Sequence, residues 1–368
     1  MECIVNWVRK LLYITHINPK IIVDRTKPQI IEINSEVCSS AYKRLETVSP
    51  NPKSSCVAKN AIAKQVDVHF IVPAYNAEQY IKRCVDSIVV PKKNISYHLT
   101  IVNDGSTDKT QTILNEYMNV PEVEIITQSN RGFSGARNAG LKNIKGKYIC
   151  FVDSDDYILW NGVEAMFLLA EASKADMVIG NHYVVNQDDK VIRKVRNTAD
   201  NYNGYPWGKL FKAECFEAVC FPEKFWFEDS VIKQIVSEKF NLVKECSEFV
   251  YYYRENPNGI TQTSRQKPKT VDSLHITLAL HEDRLQMGLS NTNKYYDYIL
   301  LMSYLTFVRA QTLGDDVLKD IFIVFTDFIC RTFGDDYTAI EPKLQPLGIY
   351  IRNKNYGHWK KYCKLLKI

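Results

Sequence analysis

The chain has 368 residues and a mass of 42.5 kDa, is 45% hydrophobic and 24% charged, and contains 15 glycines and 13 prolines. That length allows roughly two to three domains, and the composition excludes collagen-like repeats, wholesale disorder and a disulfide-stapled miniprotein. The net charge of +5 is local: residues 351–368 carry six basic side chains and no acidic one, so no basic face of the kind that binds nucleic acid is expected.

Residues 1–65 read as a leader of undefined role. Their second half, 34–64, is rich in Ser, Pro, Asn and Lys and reads as a linker. The first 22 residues lack the apolar core and cleavage site of a signal peptide, and no stretch approaches the ~18 apolar residues of a membrane span. From Val66 the pattern sharpens. Residues 66–72 form an apolar run ending at Pro73, as a buried strand does, and Asn76 is placed to cap a helix in which Ala77, Tyr80, Ile81, Cys84, Val85 and Ile88 share a face. A strand at 99–102, a helix striped by Thr110, Ile113, Leu114 and Tyr117, and a strand at 123–126 follow. A helix at 136–143, a strand at 148–152, a helix at 166–172 and a strand at 177–179 complete the series. The succession predicts an α/β fold with a mainly parallel sheet flanked by helices. Past residue 266, segments 273–285, 295–311 and 317–333 read as three helices packed on each other, an α-helical C-terminal region. The 10 cysteines show neither CxxC nor zinc-ligand spacing and read as buried thiols of a reducing compartment, which places the chain in the cytoplasm.

In open α/β sheets, ligands bind beyond the carboxyl ends of the strands. The first strand ends in Pro73-Ala74-Tyr75-Asn76, the second in Asn103-Asp104-Gly105-Ser106-Thr107-Asp108, and the fourth in Asp153-Ser154-Asp155-Asp156. The loop after the third supplies Asn130-Arg131-Gly132, with Arg137 and Asn138 behind it. Carboxylates beside a few cations on one rim suit a diphosphate bridged by a hard divalent ion. Each piece has a plainer reading: Asp104-Gly105 as a turn, Asp108 as a helix cap, and the Asp153–Asp156 run as a solvated loop. Their order, each directly after an apolar strand, favours the site.

These motifs resemble the signatures of family-2 glycosyltransferases with the GT-A fold. The resemblance continues through Asn130 to Gly140, Trp207-Gly208-Lys209-Leu210-Phe211 and Phe227-Glu228-Asp229-Ser230, and covers roughly residues 66–263. It implies a Rossmann-like nucleotide-sugar domain at 66–264, with a nucleotide-binding half (66–156) and an acceptor and catalytic half (157–264), before a helical region (265–350) and a basic tail (351–368). It also implies residue roles. Pro73, Ala74 and Tyr75 would form the base pocket, Asp104 would accept from the imide N–H of uracil, and Asn130 and Arg137 would line the base and phosphate region. Asp153 would face the ribose, Ser154 would join the nucleotide-sugar contacts, Asp153 and Asp155 would hold Mn2+ or Mg2+, and Arg254 would reach the diphosphate. Asp229 is the expected general base, with Glu228 the alternative. The implied activity is metal-dependent, inverting transfer from a nucleotide-sugar, expected as a UDP-sugar, to a hydroxyl of a glycan or lipid-linked acceptor, as in surface polysaccharide or lipopolysaccharide synthesis. Trp207 is divided between stacking on a sugar and core packing, Lys209 is undecided, and His182 reads as structural.

Other classes fit less well. A nucleotidyltransferase-like enzyme would open with a phosphate loop rich in glycine and arginine where this chain has Tyr75 and Asn76. The P-loop and dinucleotide fingerprints are absent. A non-catalytic scaffold would be expected to have lost part of the set Asp104, Asp153, Asp155 and Asp229. In the tail, Trp359, Tyr362, Cys363 and Leu366 fall on one face of a helix and the lysines elsewhere. That pattern suits peripheral contact with an anionic membrane on its cytoplasmic face, or else docking on the chain's own helices.

Overall fold

A computed structural model describes residues 18–90, 94–199, 204–256 and 266–366. The chain divides into two units, Pro52–Thr263 and the pair Met1–Asn51 with Ser264–Ile368. In the first, β1 (Ala61–Ala74), β2 (Tyr97–Asn103), β3 (Val123–Thr127) and β4 (Asn143–Phe151) run parallel in the order β3-β2-β1-β4. The strands β5 (Tyr157–Ile158), β6 (Met177–Val185), β7 (Val191–Val195), β8 (Lys209–Lys212) and β9 (Val243–Arg254) extend this to a nine-stranded sheet. β8 lies antiparallel between β4 and β6, β9 pairs parallel with β6, and β5 and β7 pair antiparallel at β9 and β6. The sheet is thus mixed but mostly parallel, as expected.

β1 runs through Pro73 rather than stopping before it. Ile71 O and Ala74 O accept from Val152 and Asp104 respectively, so residue 73 faces the β4 side. Pairing with β4 ends at Ile71 and Phe151, so the missing proline N–H interrupts no ladder. The helix Ile81–Ile88 buries Ile81, Cys84, Val85 and Ile88 against Phe70 and Val72, the stripe read from sequence. A Cβ at Gly140, on the helix Gly132–Leu141, would lie 2.6 Å from Ile71 Cγ2, so only glycine lets this helix approach the strand.

Residues 34–64 depart from the linker expectation. The helix Ser35–Val48 is capped by the Asn34 side chain, buries Ala41 and Leu45, and packs on the helix Asp315–Phe333. Its Arg44 donates twice to Asp320, at 2.8 and 2.6 Å. The stripe is two residues wide among polar neighbours, too thin to stand out in sequence. Further on, Val57 pairs with Val219, and Asn60 Nδ2 donates to the Phe216 and Val219 carbonyls at 2.6 and 2.9 Å. The first domain therefore begins near Pro52, not Val66.

In the second unit, the helices Asp272–Gln286, Asn293–Ala310 and Asp315–Phe333 fall within two residues of the expected segments. The helix Gln345–Arg352 closes the helical region and runs two residues into the tail, which itself forms the helix Tyr356–Leu365. The aromatic stripe is present, but it faces inward: Trp359, Tyr362, Cys363 and Leu366 are buried, and Trp359 packs on Phe307 and Phe322 at 5.4 and 5.2 Å. The apolar half of the supposed membrane-binding helix is thus part of a protein core. Among the described residues, no helix is long and apolar enough to cross a membrane.

Candidate active site

The loops after β1 and β2 interlock. Asn76, expected as a helix cap, instead accepts from Thr107 N at 2.8 Å, and its own N–H donates to Ser106 Oγ at 3.0 Å. Asp108 Oδ2 accepts from Glu78 N at 3.0 Å while Oδ1 accepts from Thr110 N, so Asp108 ties the two loops together from one residue before Lys109, which holds the N-cap position expected for it. Gly105 has φ +75°, and a Cβ there would lie 2.9 Å from Asn130 N, which brings the loop after β3 against the loop after β2. On this rim Tyr75 is 52% exposed and Asn130 is exposed, whereas Pro73 and Ala74 are buried. Asp104 is buried: its Oδ1 accepts from Gln128 Nε2 at 2.7 Å and Arg131 N at 2.8 Å. Its Oδ2 is buried with no partner.

The end of β4 carries the acidic run. Asp153, Ser154 and Asp155 are half-buried, and Asp156 is buried. Burial and the neighbouring Asp153 raise the pKa of Asp155, which accepts from Asn256 Nδ2 at 3.2 Å. Asp156 is a structural post rather than an open ligand. It accepts from Tyr251 Oη and Arg254 N, both at 2.7 Å, and so ties β9 to the strand end.

Arg137 joins the two acidic centres. It is buried, with Nη2 donating to Asp153 at 2.8 Å and Nη1 to Glu228 at 2.6 Å. Burial opposes its charge, but Asp153 and Glu228 together raise its pKa. Burial pushes the Glu228 carboxyl up to about 7; Arg137 pulls it back and Asp229 pushes it further up. The guanidinium fork expected to face phosphate therefore faces two carboxylates. Asp229 sits half-buried at the N-cap of the helix Ser230–Gln234.

Arg254 also differs from expectation. Its Nε donates to Asp155 O at 3.0 Å, its Nη1 to the Asn186 and Gln187 carbonyls at 3.1 and 3.2 Å, and its Nη2 pairs with Asp189. It clamps the β6–β7 hairpin rather than presenting a fork to phosphate. Trp207 is buried within a stack of near-parallel rings with Tyr205, Tyr251 and Tyr253 at 4.9–5.1 Å, which settles it as packing. His182 abuts Trp207, and burial pushes it down to about 4. Lys209 is buried, donates to Tyr205 O at 2.6 Å, and is pushed down to about 7 by burial, with Lys233 adding and Asp229 opposing. Sequence reasoning missed Gln128 and the hairpin residues Asn186–Asp189; only their positions just past the ends of β3 and β6 signalled them.

The profile of the family described as Glycosyl transferase family 2 matches residues 69–235. Glycosyltransferase GlyG of Streptococcus pneumoniae serotype 4 is 30% identical over 286 residues, covering 69% of this chain and 93% of that protein. The chain belongs to glycosyl transferase family 2. Glycosyltransferase GlyA of the same organism is 32% identical over 222 residues, 54% of this chain, and the match spans only 32% of GlyA's length. Among solved structures, S. aureus TarS residues 1–349 in complex with UDP-GlcNAc superposes with a TM-score of 0.61 at 20% identity, covering 80% of this chain and 89% of that one. The family-2 chain thus shares the GT-A architecture with TarS.

In this family-2 chain, the strand-end loops gather Tyr75, Asp104, Asn130, Asp153, Ser154 and Asp155 on the carboxyl side of the parallel strands, and Arg137 connects Asp153 to Glu228. Among the described residues, no three His, Cys, Asp or Glu side chains gather as a metal cluster. Asp153 and Asp155 supply hard oxygen ligands, and burial first, then the neighbouring Asp153, raises the Asp155 carboxyl. That set fits Mg2+ or Mn2+, ions that commonly take one or two carboxylates and complete their shell with substrate phosphates and water.

Proposed function

We propose that this chain is a metal-dependent, inverting glycosyltransferase that uses a UDP-sugar and glycosylates a hydroxyl of a glycan or lipid-linked saccharide during surface-polysaccharide assembly. The observation that carries the donor reading is Asp104. Its Oδ1 is saturated, while its buried Oδ2 lacks a partner on a strand end adjoining exposed Tyr75. A buried unpaired acceptor costs roughly 1–3 kcal/mol, a cost removed by a ligand that brings an N–H, as the uracil imide does. The ring of Tyr75 offers the base a stacking face. The UDP-GlcNAc complex of TarS supports a nucleotide-sugar donor.

Asp153 and Asp155 would hold the divalent ion, which when bound offsets the negative charge of the departing diphosphate. Asp229 takes the proton from the acceptor hydroxyl as its oxygen attacks the anomeric carbon from the face opposite the diphosphate, so configuration inverts. Glu228 holds Arg137, and Arg137 fixes Asp153, so donor and acceptor carboxylates are positioned by one guanidinium. A cytoplasmic setting is consistent with the cysteines of the described residues, all of which are thiols. Membrane association, if it accompanies this activity, rests on the tail lysines, because the aromatic face lies in the core.

The test is isothermal titration of UDP, CDP and GDP against wild type and Asp104→Asn in Mn2+. Wild type is expected to prefer UDP, and the variant to lose at least tenfold in affinity for UDP. Equal affinity for all three in wild type would refute the donor assignment.

A further inference from the structure

The segment entering β1 runs antiparallel to the segment that leads to Glu228 and Asp229. Val57 pairs with Val219, Ala58 N–H donates to the Ala218 carbonyl at 3.2 Å, and Cys220 N–H donates to the Cys56 carbonyl at 2.8 Å. This register sets Cys56 directly opposite Cys220. Side chains opposite each other across an antiparallel pair share a face, and the Cα atoms of a hydrogen-bonded pair lie about 5.5 Å apart. A disulfide spans about 4.4–6.8 Å between Cα atoms. The Cys220 thiol leans over the facing segment, its Sγ 3.7 Å from the Ser55 carbonyl oxygen. Cys215, its nearest cysteine in sequence, turns instead to the Asp176 carbonyl at 3.9 Å.

We propose that Cys56 and Cys220 are a redox-responsive pair that closes to a cross-strand disulfide when the thiol pool is oxidised. Opposed Cβ atoms lie about 4.5–5.5 Å apart, wider than the about 3.5–4.5 Å of a relaxed disulfide. The bond therefore draws the two segments together, and a strained bond of this kind is readily reduced. Cys56 is fully buried and Cys220 is partly exposed, so Cys220 meets the oxidant first. With glutathione disulfide, the Cys220 thiolate attacks one sulfur and expels a glutathione thiolate. The Cys56 thiolate then attacks the Cys220 sulfur of the mixed disulfide and expels the second glutathione. The protein gives up two electrons, its two thiol protons pass to the departing thiolates, and glutathione disulfide is reduced to two glutathiones.

The bond acts on the nucleotide rim through contacts already present. Phe221, next to Cys220, exchanges two 2.8 Å hydrogen bonds with the Asn138 side chain. Glu223 pairs with Arg131, and its N–H donates to Ser54 Oγ at 2.9 Å. Closing the disulfide fastens this support between the leader of β1 and the loop that carries Arg131 and Asn130.

The experiment equilibrates the full chain in glutathione buffers of increasing oxidised fraction, blocks remaining thiols with iodoacetamide, digests without reduction and maps the peptides. A Cys56–Cys220 linked peptide is expected to rise with the oxidised fraction and to vanish on dithiothreitol treatment. Cys56→Ser is expected to stop with glutathione on Cys220. The proposal is overturned if wild type also stops at the glutathione adduct, if both cysteines remain alkylated throughout, or if Cys220 links to a different cysteine. The wild-type map decides the matter even if the variant fails to fold.

Discussion

Arg137→Met removes the guanidinium that joins Asp153 and Glu228 and leaves a side chain of similar reach. Arg137 and Glu228 expose only 7% and 10% of their side chains, whereas Asp153 is 28% exposed and keeps water. The cost therefore falls on Glu228, and breaking a buried ion pair from one side costs about 3–5 kcal/mol where the remaining carboxyl stays ionised. The sign of the pH dependence follows from Glu228, whose folded pKa lies up at about 7 against an ordinary 4.5. A carboxyl raised on folding binds its proton more tightly in the folded state, so this group's contribution to stability falls as pH rises from about 4.5 to about 7. Without Arg137 the folded value moves higher still. Wild type and variant then lose stability in parallel up to pH 7, and above it the variant alone continues to lose, by up to about 1.4 kcal/mol per pH unit. Hydrogen exchange of the β1 and β4 amides in the full chain, measured at pH 6, 7 and 8.5 with chelator present, reads this directly. A gap below about 1 kcal/mol at pH 8.5, where the argument gives about 2 kcal/mol of divergence, or a gap that narrows as pH rises, would refute the reasoning.

Asp155→Ala should abolish the Mn2+-dependent component of UDP affinity in calorimetry while the circular dichroism spectrum stays unchanged; undiminished metal dependence would remove Asp155 from the ligand set. Asp229→Asn should keep donor affinity and lower turnover by about 100-fold or more, and NMR of the product should show inverted configuration; near-normal turnover would return the base role to Glu228. Trp359→Ala, which empties a fully buried site against Phe307 and Phe322, should cost about 3–5 kcal/mol in urea unfolding of the helical unit. An unchanged midpoint there would mean that the tail is not part of the core.

β1 to β4 and the three long helices past residue 266 were legible because each has a strong apolar period bounded by its own turn residues, whereas β9 and the helix Ser35–Val48 were not. β8, four residues long, escaped because Lys209–Lys212 carries too little pattern to show its pairing, and its antiparallel insertion depends wholly on tertiary neighbours. The strand-end position of Tyr75 and Asp104 was legible, because each follows directly on an apolar strand, although the burial of Asp104 was not. The site was misjudged where charge is consumed internally. Arg137 and Arg254 have the composition of phosphate ligands, yet the Nη donors of Arg137 and the Nε and Nη donors of Arg254 are engaged by carboxylates and backbone carbonyls that lie 16 to 91 and 65 to 99 positions away in sequence. In the tail, the amphipathic pattern was read correctly, but a pattern does not say whether lipid or protein covers its apolar face.

The helix Ser35–Val48 belongs with helices made from the far end of the chain, while Pro52–Thr263 is one uninterrupted stretch between them. This imposes a timetable on synthesis. At about 5–20 residues per second, the ribosome takes roughly 15–50 s to pass from the end of Ser35–Val48 to Asp315, where its partner helix starts. Throughout that interval the sheet unit can complete itself, but the helix Ser35–Val48 lacks its partner helix. The first helix of this pair to leave the tunnel is thus among the last elements to meet its native partner.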